Sequence, residues 1–254
     1  MTLSTPIKDV QVPPPKKPGL AIQHTEPGVP KRLTVLAYGA PGSGKTYFAG
    51  TFPKPLFIDL DQGLMTVRAK RVAYIRPTNW LDLRTCITPE YIKDFNTIVV
   101  DTLTEAHVLI LAEIFAGSGK DALRIQDWGQ ASERIVQLVK GLRSLEDKHV
   151  VCLCDERTDK DEETGKIMVG PALPGQLFNT IGRYFDCVFH LRNANKDGKR
   201  QRVILTEPEG LYQGKDRIGG LEKFETPDFN VIWTKVTKLT GQLRPTVSNS
   251  TKEA

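Results

Sequence analysis

Apolar runs alternate with more polar stretches over the first two thirds of the chain. The runs occupy residues 32–38, 55–61, 97–101 and 149–154. Runs of this length with few polar residues are typical of strands that are buried on both faces of a sheet. Between residues 126 and 148, apolar side chains recur at the spacing of an α-helix. Strands separated by helical stretches predict a parallel sheet with helices on both faces.

The pattern changes in the last third of the chain. Apolar runs at 187–191 and 202–205 flank the turn-forming stretch Asn195-Lys196-Asp197-Gly198, which predicts two antiparallel strands. Thr226 and Pro227 are residue types found at the cap and the first position of a helix, so a final helix is expected there. The predicted fold class is α/β, with a mostly parallel central sheet flanked by helices and with late antiparallel strands.

The two ends of the chain lack this periodicity. Residues 1–30 contain the run Pro13-Pro14-Pro15-Lys16-Lys17-Pro18, which predicts a flexible N-terminal arm. We expect one folded domain over residues 31–240 and a flexible C-terminal tail over residues 241–254.

Composition narrows the class of protein. The apolar fraction of 39% and the charged fraction of 26% are those of a soluble globular protein. Because no run approaches the length of a membrane span and no apolar signal core is present, a cytoplasmic location without a membrane partner is expected. The formal net charge of +5 permits nucleic acid as a partner without demonstrating it. The four cysteines form no C-x-x-C pair, so no metal or redox site is predicted from them.

One glycine-rich stretch carries specific chemistry. It follows the first apolar run and fits the phosphate-binding pattern G-x-x-x-x-G-K-[ST] at every fixed position, as Gly39-Ala40-Pro41-Gly42-Ser43-Gly44-Lys45-Thr46. A strand before this P-loop and a helix after it are the context that the motif requires. Its backbone N–H groups are expected to bind the phosphates of ATP, with Lys45 on the β- and γ-phosphates and Thr46 on Mg²⁺.

A P-loop also requires a carboxylate on a nearby strand to hold the magnesium ion. Asp101 ends the apolar run 97–101 and fits this Walker B role, although a strand-end acid can also simply cap a turn. AAA+ ATPases carry a catalytic glutamate directly after this aspartate. Here that position is Thr102, which counts against an AAA+ assignment.

Further segments resemble the RecA-like ATPases. Phe57-Ile58-Asp59-Leu60-Asp61 resembles the strand that ends in the catalytic acid of that family, with Asp61 in place of its usual glutamate. Ile98-Val99-Val100-Asp101-Thr102 resembles the family's Walker B strand. Cys154-Asp155-Glu156-Arg157 resembles the strand end that senses the γ-phosphate, with Glu156 in place of the usual glutamine.

The resemblance covers roughly residues 31–220. It is closest to short RecA-like ATPases of bacteriophages, nucleotide-binding AAA-domain proteins of the recombination and single-strand annealing type. It implies a RecA-like fold, Mg²⁺-dependent ATP hydrolysis, a homo-oligomer that binds single-stranded DNA, and a single-strand-binding protein as a possible partner. Asp61 is the expected catalytic acid, with Asp59 able to share its role and Glu156 as the next candidate.

The resemblance also singles out Lys215-Asp216-Arg217. This segment occupies the position where RecA-like proteins carry a pair of cations that reach the nucleotide of the neighbouring subunit. On this basis Lys215 and Arg217 are expected to act in catalysis, the alternative being a solvated surface segment.

Other interpretations of the sequence remain open. The charged stretch between Arg157 and Lys166 is either a DNA-contacting loop or a solvated hairpin. Its acids outnumber its bases, which is unusual for a loop that contacts DNA. For the whole chain, an AAA+-type ATPase such as a helicase loader and a nucleotide-binding switch with little hydrolysis are the alternatives.

Overall fold

Strands and helices alternate along the chain in the computed structural model, which describes residues 30–119, 121–160, 165–196 and 198–242. The strands in these residues are β1 (Thr34–Gly39), β2 (Pro55–Asp59), β3 (Ala73–Ile75), β4 (Thr97–Asp101), β5 (His149–Lys160), β6 (Ile167–Pro171), β7 (Cys187–Lys196), β8 (Lys199–Leu205), β9 (Lys215–Asp216) and β10 (Phe224–Glu225). The α-helices are α1 (Lys45–Ala49), α2 (Trp80–Thr85), α3 (Pro89–Ile92), α4 (Leu103–Ser118), α5 (Ile125–Arg143), α6 (Leu177–Thr180) and α7 (Phe229–Gln242). Two 3₁₀ helices cover Leu64–Lys70 and Ile181–Tyr184.

A mostly parallel sheet forms the centre of the molecule. Its strands lie in the order β10-β8-β7-β1-β5-β4-β2-β3, and the pairs from β7 to β3 are all parallel. Antiparallel pairs join β7 to β8 and β9, and β8 to β10. The predicted fold class, a mostly parallel sheet with late antiparallel strands, is therefore confirmed.

Helices cover both faces of this sheet, as the alternation of apolar runs predicts. On one face, Leu83 of α2, Ile110 of α4 and Ile135 of α5 are buried in a single apolar cluster. On the other face, Phe48 of α1 and Phe229 of α7 belong to a second cluster. Because successive strand residues point to opposite faces, the central strands contribute to both clusters. β1 and β4 are buried at every residue.

The hairpin of β5 and β6 extends away from the parallel part of the sheet. β5 continues as a strand through Lys160, with Thr158 opposite Val169 in antiparallel register. Part of the predicted charged loop between Arg157 and Lys166 is thus strand, and residues 161–164 lie outside the described residues.

The final helix begins slightly later than Thr226 and Pro227 indicate. α7 starts at Phe229, because the carboxylate of Asp228 accepts the backbone N–H of Asn230 at 2.7 Å and caps the first turn.

The predicted arm (1–30) and tail (241–254) lie outside the described residues, apart from Pro30 and the last two residues of α7. Within the described part of the chain, no helix is both long and apolar enough to cross a membrane.

Candidate nucleotide site

The carboxyl ends of β1, β2 and β4 meet at one edge of the sheet, beside the middle of β5. In the parallel register Gly39 lies beside Asp155, and Asp59 lies beside Asp101. The P-loop that follows β1 therefore faces the acids that end the neighbouring strands. A cavity of about 360 Å³ opens between them, and it is lined by Lys45, Thr46, Asp61, Asp101 and Asp155, among other residues.

The backbone of the loop requires glycine at specific positions. Gly44 has a φ of 101°, in the left-handed region that side chains rarely adopt. A Cβ at Gly39 would collide with the carbonyl oxygen of Leu191 on β7. The first glycine of the motif thus allows β7 to pack directly against the start of the loop.

Lys45 is held across the loop by three acceptors. Its Nζ donates hydrogen bonds to the carbonyl oxygens of Gly39 at 2.7 Å and Ala40 at 3.4 Å, and to the Asp155 carboxylate at 3.1 Å. The side chain is almost fully buried, so its ammonium has a fixed position at the floor of the cavity. A charged amine held in this way matches the phosphate contact expected of Lys45.

Thr46 and Asp101 form a hydroxyl–carboxylate pair beside Lys45. Thr46 Oγ1 donates a hydrogen bond to Asp101 Oδ2 at 2.9 Å. The other oxygen, Oδ1, is buried and has no hydrogen-bond partner among the residues that the structure describes. Oxygen ligands of this kind suit Mg²⁺, so the residues fit the predicted metal site.

The environment of Asp101 opposes its negative charge. Burial raises the pKa of this carboxyl from 3.8 to about 6, and the nearby charges of Asp61 and Asp59 add to the effect, while the Thr46 hydrogen bond opposes it. A divalent cation would relieve this repulsion, which is further support for a metal ion at this position.

The two acids after β2 occupy different environments. Asp61 lines the cavity, and its pKa is raised, first by burial and then by the charge of Asp155. Asp59 is buried, and its Oδ2 accepts a hydrogen bond from Nε of Arg76 at 2.8 Å. Asp61 therefore faces the nucleotide cavity, whereas Asp59 is occupied by a structural ion pair.

Glu156 lies apart from this cavity. Its carboxylate is 2.9 Å from Nε2 of the buried His190, whose ring stacks on Tyr212. The preceding residue, Asp155, contacts Lys45 instead, because consecutive strand residues point to opposite faces. A catalytic role for Glu156 remains a prediction.

Lys215 and Arg217 also lie outside the nucleotide cavity of their own chain. Nζ of Lys215 donates to the carbonyl oxygens of Gly182 at 2.9 Å and Phe185 at 2.6 Å, and Nη2 of Arg217 donates to that of Arg183 at 3.3 Å. Both side chains line a separate cavity of about 460 Å³. Their predicted action on a neighbouring subunit remains a prediction.

The residues that form this site lie within a region that matches a known protein family. Residues 31–218 match the model of an AAA domain. The chain belongs to this AAA domain family. No curated protein matches the sequence.

Two crystal structures are similar to the chain in fold. One is a KaiC-like protein from the hyperthermophilic archaeon Pyrococcus horikoshii OT3, with 14% identity, a TM-score of 0.43, and coverage of 68% of this chain and 78% of that chain. The other is the RadB recombinase, with 20% identity, a TM-score of 0.43, and coverage of 72% and 86%.

Sequence reasoning assigns no role to several residues in or near the AAA-domain site. Asp155 and Arg202 line the cavity, and Thr102 accepts the backbone N–H of Glu105 at 3.1 Å and starts α4. The pKa of Glu105 is raised by burial and by the charges of Asp61 and Asp155. Strand alternation beside the P-loop could have identified Asp155, but no local signal marks Arg202, which belongs to the late hairpin.

The raised pKa of Asp101 leads to a stability prediction for the protein without nucleotide or metal. In the folded protein the Asp101 carboxyl keeps its proton up to about pH 6, whereas in the unfolded chain it loses the proton near pH 3.8. The free energy of unfolding therefore falls as the pH rises between about 4 and 6. Asp101→Asn removes this penalty, and we expect it to raise the free energy of unfolding at pH 7.5 by about 1–3 kcal/mol. Urea unfolding in EDTA at pH 7.5 and pH 4 measures this difference in the free energy of unfolding. We expect the difference between variant and parent to be smaller at pH 4.

The same substitution should abolish Mg²⁺-dependent hydrolysis, because a neutral amide binds magnesium poorly. The surface variant Asp94→Asn serves as the control and should change neither property. A variant at 101 that is less stable than the parent at pH 7.5 would contradict the electrostatic account of Asp101.

Proposed function

We propose that this AAA domain binds ATP with Mg²⁺ and hydrolyses it. The observation that carries the proposal is the convergence of Lys45, the Thr46–Asp101 pair and Asp61 on one cavity. Lys45 would bind the β- and γ-phosphates, and Thr46 and Asp101 would hold Mg²⁺, which supplies positive charge to the phosphates when it is bound. The acids around the cavity disfavour a polyphosphate without a cation, which supports a requirement for the metal ion.

Asp61 is the proposed catalytic acid. Its carboxylate lies on the cavity wall, where it can orient the attacking water and accept a proton. Its raised pKa makes it a better base than an ordinary surface aspartate, because a general base is most effective when its pKa lies near the working pH.

We further propose that the protein acts on single-stranded DNA as a homo-oligomer in recombination or annealing, with a single-strand-binding protein as a possible partner. A groove of about 760 Å³ between α5 and residues 174–184 supports this role. It combines the exposed ring of Trp128 with Tyr184, and the cations of Lys140 and Arg183 lie 5.9 Å and 4.9 Å from the Tyr184 ring centroid. Aromatic side chains beside cations are the features that bind unpaired bases and their phosphates.

ATP turnover with and without single-stranded DNA tests the proposed function. Turnover that DNA stimulates is the expected result. Nucleotide binding without turnover would identify a switch instead, and turnover without any DNA binding would favour an AAA+-type role such as helicase loading.

Trp128→Ala is expected to weaken binding to a labelled oligo-dT by about tenfold, the loss typical of one base-stacking aromatic. Fluorescence anisotropy in the presence of ATP measures the affinity. Tyr74→Ala is the matched control, because Tyr74 is an exposed aromatic on the edge strand β3, at the far end of the sheet. Equal affinities for the Trp128 variant and the parent would exclude this groove as the DNA site.

Arg217→Ala is expected to leave ATP binding largely intact and to reduce turnover by about a thousandfold, as for other arginine residues that stabilise phosphoryl transfer. Mixing it with Lys45→Ala subunits should restore part of the activity. In a mixed oligomer, a subunit with an intact P-loop receives Arg217 from a neighbour that has lost only its own P-loop lysine. If the two variants co-assemble and activity does not recover, each site is completed within one chain.

A further inference from the structure

Arg202 is an arginine of the late hairpin that reaches the P-loop. β7 pairs in parallel with β1, with His190 beside Tyr38, and the carbonyl oxygen of Leu191 packs against Gly39. β8 returns antiparallel to β7 and places Arg202 opposite Asn193. The β7–β8 hairpin therefore packs against the P-loop. Arg202 is the cation of this hairpin that lines the nucleotide cavity.

The side chain of Arg202 crosses directly over the loop. A Cβ at Gly44 would lie 2.8 Å from its Cδ and 3.1 Å from its Nε. Its Cζ is 6.0 Å from the ring centroid of Tyr47, the residue after the P-loop. The absence of a side chain at Gly44 thus leaves room for the arginine as well as for the φ of 101°.

The guanidinium of Arg202 has no hydrogen bond or ion pair with any residue that the structure describes. Other arginines of the domain are paired, such as Arg76 with Asp59 and Arg192 with Glu209. Asp61 and Asp155 line the same cavity, yet neither binds Arg202. A cation that faces a cavity beside acids without pairing to them is available for an anion that enters that cavity.

The geometry points to Arg202 as a phosphate-binding residue for the nucleotide of its own chain. This inference rests on the proposed nucleotide binding. The N–H groups of the loop cradle the α- and β-phosphates, and Arg202 lies over Gly44 in that cradle. Its planar fork of donors matches phosphate oxygens, so it adds a second cation to the cavity that Lys45 lines. Because these phosphates are present in ADP as well as ATP, Arg202 binds both nucleotides.

The contact also joins the late antiparallel strands to the nucleotide. Arg202 lies on β8, which pairs on its other side with β10. A bound nucleotide would thus tie the P-loop to the hairpin through a side chain, in addition to the backbone pairing of β1 with β7.

Competition binding tests the assignment. A fluorescent ATP analogue is displaced from the full-length protein by ATP, ADP or inorganic pyrophosphate, each with Mg²⁺. Arg202→Ala is expected to lower the affinity for all three competitors by a similar factor, roughly tenfold to a hundredfold. This is the loss expected when a hydrogen bond to a charged group is removed. Arg202→Lys, which keeps the charge but not the fork, should recover part of the affinity. Arg200→Ala, two residues earlier on the same strand and outside the cavity, should bind like the parent.

The outcomes separate a phosphate contact from other roles. If Arg202→Ala weakens ADP but not pyrophosphate, the side chain contacts the base or the ribose and the inference is wrong. Parent-like affinity for all three competitors also overturns it, and Arg202→Gln is measured in its place if the alanine variant does not fold. Loss of binding in Lys45→Ala alone would leave the proposed function standing without this inference. A parent protein that binds no nucleotide would overturn both.

Discussion

Lys45→Ala is expected to abolish ATP binding and turnover while the protein stays folded. The ammonium of Lys45 is the buried cation at the floor of the cavity, fixed by the Gly39 carbonyl and by Asp155. Its loss removes a charge-assisted contact to the phosphates and leaves the Asp155 carboxylate facing them, which adds repulsion. We expect ATP affinity to fall by about a hundredfold or more.

Isothermal titration with ATP and a phosphate-release assay measure the two effects. The fold is checked by thermal unfolding, since Lys45 contributes little apolar packing and the half-buried Asp155 can reach water. Lys93→Ala is the control, because Lys93 is exposed and does not line the nucleotide cavity. This variant should match the parent in both assays. Unchanged affinity and turnover for Lys45→Ala would refute the P-loop assignment.

Asp61→Asn is expected to reduce the turnover number by about a hundredfold or more, with ATP affinity close to that of the parent. A general base contributes to the transition state and little to ground-state binding, so kcat and not Kd should carry the loss. The amide keeps the size of the side chain and removes its ability to accept a proton. The position of Asp61 on the cavity wall, with its pKa raised by burial, is the physical basis.

Single-turnover hydrolysis and equilibrium binding are compared for Asp61→Asn and Glu156→Gln. The Glu156 carboxylate contacts His190 and lies away from Lys45, so we expect its variant to hydrolyse ATP at a rate near that of the parent. Parent-like hydrolysis by Asp61→Asn together with a loss in Glu156→Gln would transfer the water-activating role to Glu156.

The adjacent acids Asp155 and Glu156 in the middle of β5 illustrate where sequence reasoning reaches its limit. A motif resemblance directs attention to Glu156, but strand alternation and the parallel register with β1 bring Asp155 to Lys45. The resemblance points to a segment in which Asp155 lines the cavity, and one residue of register decides which of the two acids faces Lys45.

Helix α4 shows the same limit for secondary structure. Its sequence Leu103–Ser118 is apolar over much of its circumference, so no helical periodicity stands out. The helix is fixed instead by packing against α5 and by the Thr102 cap at its start. For α5, by contrast, the apolar spacing predicted the helix directly, because only one of its faces is buried.

The Walker B role of Asp101 stays a prediction, but the sequence by itself determined the P-loop motif and the parallel sheet. These depend on local patterns, a spaced motif and runs of buried strand residues, which are visible without knowledge of neighbours. Tertiary structure alone decided that Asp59 forms an ion pair with Arg76 and that Lys215 contacts the carbonyl oxygens of Gly182 and Phe185. It also decided that the side chain of Arg202 lies over Gly44. Each of these contacts joins residues far apart in the chain, and their proximity follows from sheet order and side-chain direction, which no local pattern encodes.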